Sequence, residues 1–162
     1  MPEPISAGRN VLADSNANAR GVNPPAIPKK LLVIDDEVGI CTVIARVATT
    51  LSLGTRVVCE PSDAVQAFID FAPDLVLLDM IMPGKDGVDL LHEMLLTGVP
   101  AKFILMSGYG ETFMRLAQGV AVFHGTESPA TLSKPFRREA LVALLRTSLS
   151  LDAGTSPYGQ WA

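Results

Sequence analysis

Hydrophobic residues fall along this chain in short blocks that switch between two periods. Leu31-Leu32-Val33-Ile34 is an unbroken apolar run ending in Asp35-Asp36-Glu37, the pattern of a strand covered on both faces. Ile40, Ile44, Val47, Ala48 and Leu51 then recur at i, i+4, i+7, i+8 and i+11, which predicts an amphipathic helix broken by Gly54. Arg56 to Glu60 reads as a second strand. Beyond Pro61, Ala64, Phe68, Phe71 and Ala72 return to helical spacing from a Ser62 cap. Leu75 to Leu78 is a third apolar strand ending at Asp79. Leu90, Leu91, Met94 and Leu95 mark a third helix stopped at Gly98, and Lys102 to Met106 a fourth strand ending at Ser107.

The pattern weakens after Ser107. Glu111 to Gln118 suits a short helix, while Gly119 to Ser128 mixes apolar and turn residues with no firm period. Thr131-Leu132-Ser133 reads as a fifth short strand before Lys134-Pro135, and Leu141, Leu144, Leu145, Ser148 and Leu149 as a closing amphipathic helix. Strand and helix thus alternate throughout. Such alternation predicts an α/β fold with a parallel sheet and helices on both faces, whose ligands bind beyond the carboxyl ends of the strands.

Composition sets the boundaries. The 162 residues are 48% hydrophobic and 19% charged, enough for one domain with a sizeable core. Every aromatic lies after position 67, whereas Pro2, Pro4, Pro24, Pro25 and Pro28 crowd the start. We therefore expect a flexible leader over 1–28, the folded domain over 29–150 and a flexible tail over 151–162. A net charge of −4 argues against nucleic acid or an anionic membrane as a default partner. No apolar run approaches the roughly 18 residues of a membrane span, and the first residues lack the layout of a signal peptide, so a soluble cytoplasmic protein is expected. Cys41 and Cys59 form no CxxC motif and read as reduced, buried thiols.

The strand ends carry the chemistry. A parallel sheet delivers Asp35, Asp36, Asp79, Ser107 and Lys134 to one edge. Clustered carboxylates repel, and a hard cation with oxygen ligands relieves them; Mg²⁺ suits this, since it takes one or two carboxylates together with a phosphate oxygen. Lys134 supplies a point charge for the same anion and Ser107 a hydroxyl donor. Asp79, standing alone after its strand, is the nucleophile expected for phosphoryl transfer, with Asp35 and Asp36 as metal holders. The acidic pair Asp35-Asp36 taken singly is more simply a solvated helix start, with Asp36 as an N-cap; Asp79 and Lys134 together outweigh that reading.

These residues resemble the receiver domain of two-component response regulators over roughly Lys30 to Leu149. The likeness rests on Val33-Ile34-Asp35-Asp36-Glu37, on Asp79-Met80-Ile81-Met82-Pro83-Gly84-Lys85-Asp86-Gly87, on Met106-Ser107-Gly108-Tyr109 and on Lys134-Pro135-Phe136. It implies a flavodoxin-like five-stranded parallel sheet of order 2-1-3-4-5, an architecture the family itself exemplifies. It further implies Asp79 as phosphoacceptor, Asp36 as direct metal ligand with Asp35 acting largely through water, and the Ile81 carbonyl as another ligand. Ser107 becomes the switch hydroxyl, Lys134 the phosphate contact, and the Lys134-Pro135 peptide is expected to be cis. A histidine kinase or histidine phosphotransfer protein would donate phosphate, and a downstream protein would receive the signal.

One position departs from the family pattern. The residue three before the lysine is usually an aromatic that swings inward, and here it is Thr131. Either Tyr109 or a backbone shift then reports the phosphate, or the domain acts as a relay or sink without much switching. No effector is expected after Leu149, so a stand-alone regulator rather than an enzyme is the reading. Ile81 is expected to shield the site from water and slow phosphate loss. A phosphohydrolase would want a second acid at Ile81, a nucleotide-binding protein a glycine-rich loop where Asp35-Asp36-Glu37 stand, and a non-phosphorylated adaptor would not need the full set. His92 and His124 are assigned to surface or partner contacts, Asp86-Gly87 to a turn and helix entry.

Overall fold

A computed structural model describes residues 27–108 and 111–151. The leader up to residue 26, the tail from 152 onward, and Tyr109 lie outside the described residues. The elements alternate as β1 (Lys30–Ile34), α1 (Val38–Thr50), β2 (Gly54–Val58), α2 (Ala64–Phe71), β3 (Leu75–Asp79), α3 (Gly87–Leu96), β4 (Lys102–Ser107), α4 (Glu111–Phe123), β5 (Ala130–Ser133) and α5 (Arg138–Leu149). The five strands form one parallel sheet of order 2-1-3-4-5, with a separate hairpin of Ile81–Met82 against Lys85–Asp86 after β3. The expected fold class is therefore observed.

The unbroken apolar runs follow from this position. Every residue of Leu31–Ile34 and Leu75–Leu78 is fully buried, because both sheet faces are covered. Alternate side chains part to opposite layers. Leu31, Val33, Leu75, Leu77, Ile104 and Met106 pack with α1 and α5, while Leu32, Ile34, Val76, Leu78 and Leu105 pack with α2, α3 and α4. Each such side chain removed from water contributes about 1.5–3 kcal/mol before chain entropy is counted.

Several boundaries differ from the sequence reading. The second strand is Gly54–Val58, not Arg56–Glu60, because the Gly54 amide donates to the Lys29 carbonyl (2.9 Å) and starts the pairing with β1 two residues early. Ser62 is not a cap: it lies inside a 3-10 turn, Pro61–Asp63, and Asp63 precedes α2 without a side-chain hydrogen bond. Glu37, rather than Asp36, precedes α1. The fourth helix continues past Gln118 to Phe123 and absorbs the first half of the stretch that showed no period.

Candidate functional site

The loop between β3 and α3 is built around a steric demand. A Cβ at Gly87 would lie 2.5 Å from the Met80 Cα, so only glycine lets the start of α3 close onto the backbone following Asp79. The Gly87 amide donates to the Met80 carbonyl (3.3 Å), and Asp86 caps α3 by accepting from the Val88 amide at 2.7 Å. Gly84, at φ 81°, makes the hairpin turn. Asp86-Gly87 is thus turn and helix entry, as read from sequence, and it also sets where Asp79 stands.

All five predicted side chains come to the carboxyl edge of the sheet. Asp35, Asp79 and Ser107 are buried and Asp36 is half-buried. Asp35, Asp36 and Asp79 each offer a carboxylate oxygen, and these lie within 4.8 Å of one another. Lys134 Nζ reaches into the same cluster, donating to Asp35 Oδ2 at 2.6 Å and standing 3.1 Å from Asp79 Oδ2. The Ser107 carbonyl accepts from the Lys134 amide (2.9 Å), which ties the end of β4 to the lysine, and the Lys134-Pro135 peptide is cis. The Ile81 amide donates to Asp79 Oδ1 at 3.3 Å, and the Ile81 side chain is half exposed beside it.

Burial and charge act against each other here. Burial lifts the Asp79 carboxyl above its ordinary value, although the Lys134 hydrogen bond and charge pull it down. For Lys134 burial would lower the ammonium, but the hydrogen bonds to Asp35 and Asp79 outweigh it and hold the lysine above its ordinary value. Hard oxygen donors at this spacing fit a small divalent cation, with Asp35, Asp36 and Asp79 as its holders.

Sequence reasoning missed some of the neighbourhood. Glu37 Oε1 lies 3.6 Å from Lys134 Nζ, and the Glu37 amide donates to Asp35 Oδ1 (2.9 Å), so the third acid of the run orients the first. Its place in that run was the available signal. Cys41 is buried as expected, but Cys59 is only half-buried; their Sγ atoms are 3.9 Å apart and Cys41 Sγ donates to the Asp35 carbonyl at 3.2 Å. Burial first, then the neighbouring Cys59, pushes the Cys41 thiol up to about 12. His92 and His124 hydrogen-bond each other at 2.9 Å on the outside of α3 and α4, away from this edge. Thr131 is exposed and, with Ser107, Ser133 and Gln118, lines a groove of about 400 Å³ under α4.

Known proteins resemble this chain in sequence and in fold. The chain is 31% identical over 124 residues to the DNA-binding response regulator MtrA of Mycobacterium tuberculosis, covering 75% of this chain and 50% of MtrA. It thus spans about half the length of that relative. It is 34% identical over 86 residues to sporulation initiation phosphotransferase F of Bacillus subtilis, covering 53% of this chain and 69% of that one. The crystal structure of the receiver domain of NtrX from Brucella abortus superposes with a TM-score of 0.62 at 28% identity, over 75% of this chain and 99% of that one. A CheY-like receiver from Methanospirillum hungatei shares the fold at a TM-score of 0.66 and 18% identity, over 76% of this chain and 95% of that one. Among the described residues no helix is long and apolar enough to cross a membrane. The family model for the response regulator receiver domain matches residues 31–146, and the chain belongs to that family.

Proposed function

We propose that this domain accepts a phosphoryl group on Asp79 from a histidine kinase or histidine phosphotransfer protein and signals by contact with another protein, as a phosphoacceptor rather than an enzyme. The observation that carries this is the position of Asp79: a buried carboxylate at a strand end, 3.1 Å from Lys134 and within 4.8 Å of two further acids. A carboxylate oxygen of Asp79 attacks the phosphorus in line. The new O–P bond replaces the N–P bond of the donor histidine, whose ring nitrogen keeps the electron pair. Mg²⁺, held by Asp35, Asp36 and Asp79 with the Ile81 carbonyl, would offset the charge that gathers on the phosphoryl oxygens. Lys134 supplies the protein's own cation for the same oxygens, and the Ser107 hydroxyl a hydrogen bond. Ile81 covers the open side and slows the water that returns Asp79 to its free form. The cytoplasm is where such a donor would meet it.

Incubation with acetyl phosphate and Mg²⁺, followed by intact mass, tests the reading. An adduct on the wild type and none on Asp79→Asn is expected; equal labelling of both proteins would refute it. A second reading, relay or sink, is favoured by the exposed Thr131, whose side chain cannot fill the groove beneath α4 as an aromatic would. Small chemical-shift changes in α4 and β5 on phosphorylation would select it.

A further inference from the structure

Outside the acid cluster, the two cysteines are the one close pair of redox-competent groups among the described residues. Cys41 lies in the first turns of α1 and Cys59 directly follows β2, eighteen positions on. The fold brings their sulfurs to 3.9 Å, and both thiols are free. Nothing in the phosphoryl chemistry uses them. α1, which carries Cys41, packs against β2, whose end leads directly into Cys59, so the two sulfurs face each other across one element contact and bond once the side chains rotate and the backbone adjusts.

We propose that Cys41 and Cys59 are a reversible oxidation site, converted to a disulfide by a hydroperoxide. Cys59 is half-buried and Cys41 is 3% exposed, so the oxidant meets Cys59 first. The Cys59 thiolate attacks one peroxide oxygen and becomes a sulfenic acid, with hydroxide leaving. Cys41 sulfur then displaces the sulfenic oxygen, the S–S bond forms, and the oxygen departs as water with the Cys41 proton. Two thiols lose two electrons and one H₂O₂ becomes two waters.

The site adjoins the acid pocket through one residue. Cys41 Sγ donates to the Asp35 carbonyl at 3.2 Å, and the Asp35 amide donates to the carbonyl of Val58, the neighbour of Cys59, at 3.2 Å. A disulfide removes the first bond and pulls on the segment that makes the second. Asp35 in turn holds Lys134 at 2.6 Å. Oxidation therefore perturbs the residue that orients the pocket's cation, and slower phosphoryl acceptance on Asp79 follows; this consequence rests on the function proposed above.

The test treats the full chain with hydrogen peroxide under native conditions, then alkylates free thiols and maps the peptides. The expected product is lighter by two hydrogens, carries a Cys41–Cys59 link, reverts with dithiothreitol and is absent from Cys59→Ser. Labelling by acetyl phosphate and Mg²⁺ should slow at least about twofold in the oxidised protein, recover on reduction and be insensitive to peroxide in Cys59→Ser. A disulfide that forms only in denaturant, or Cys59 driven to sulfinic acid with Cys41 still free, overturns the site. Oxidised protein labelled at the reduced rate overturns its coupling to Asp35. Failure of the reduced protein to label at all would instead sink the reading of Asp79, with the peptide map unaffected.

Discussion

Two neighbouring helices on the same face of the sheet are held in different ways. α3 buries Leu90, Leu91 and Met94 completely, and its first residue is locked against Met80. α4 is longer, yet its buried residues are Ala117 and Ala121, while Leu116 is 57% exposed, Val122 55% and Phe123 88%. A buried leucine is worth about 1.5–3 kcal/mol and a methyl about 0.8 kcal/mol, so α3 is the better anchored of the two even though Phe113 and Met114 of α4 also pack, partly buried, against the core. The stiff helix is the one joined to Asp79 by a short loop; the loosely held one follows Ser107. A phosphoryl group would then be positioned by a rigid wall and sensed by the element that moves most cheaply.

The largest expected effect lies in the rigid pocket. Lys134→Ala leaves Asp35 and Asp79 facing each other without their shared cation, and breaking such a buried pair costs about 3–5 kcal/mol in Mg²⁺-free urea unfolding. The lysine is held above its ordinary value, so its contribution is complete at lower pH and is lost as pH rises through the folded value. The variant should therefore lack the alkaline destabilisation of the wild type. Leu91→Ala comes next, at about 2–5 kcal/mol for a fully buried leucine. If urea unfolding showed Leu91→Ala to be cheap, α3 would not be the better-anchored helix.

The same contrast explains what could be read from the chain alone. Leu31–Ile34, Leu75–Leu78 and the leucines of α3 announce themselves because each buried position is large and apolar, and burial on both faces leaves no alternation to misread. The acids, Ser107 and Lys134 were legible because a parallel sheet sends every strand end to one edge. The apolar pattern ends α4 at Gln118 because beyond Phe113 and Met114 the buried stripe is carried by alanines, whereas Leu116, Val122 and Phe123 face outward. Glu37 against Lys134, and Cys59 against Cys41, depend on side-chain reach across elements, which no spacing along the chain encodes.

Asp79→Asn should stabilise the fold by about 1 kcal/mol, in the ordinary range for relief of one unfavourable buried charge. Burial raises the folded carboxyl above its unfolded value, so the ionised form is disfavoured in the native state. As pH falls through the folded value the wild-type group takes up its proton before the unfolded chain does, and the wild type gains stability. The advantage of the Asp79→Asn variant over the wild type must therefore shrink toward acid. Urea unfolding of both proteins at neutral pH and in the upper carboxylate range measures it, and a gap that widens toward acid contradicts the burial argument.

The smallest expected effect is the most discriminating for α4. Phe123 is among the largest side chains of that helix, yet it is 88% exposed and touches His124 only edge-on, with ring centroids 5.8 Å apart. Phe123→Ser removes little area that folding takes from water, so unfolding free energy should change by less than about 0.5 kcal/mol. Ala117→Gly deletes only one methyl, but a buried one in mid-helix, and should cost about 1 kcal/mol. Truncating the phenyl ring should thus be milder than deleting the methyl. The reverse ranking in urea unfolding would mean that α4 is held by its outer face, and the asymmetry between the two helices would have to be abandoned.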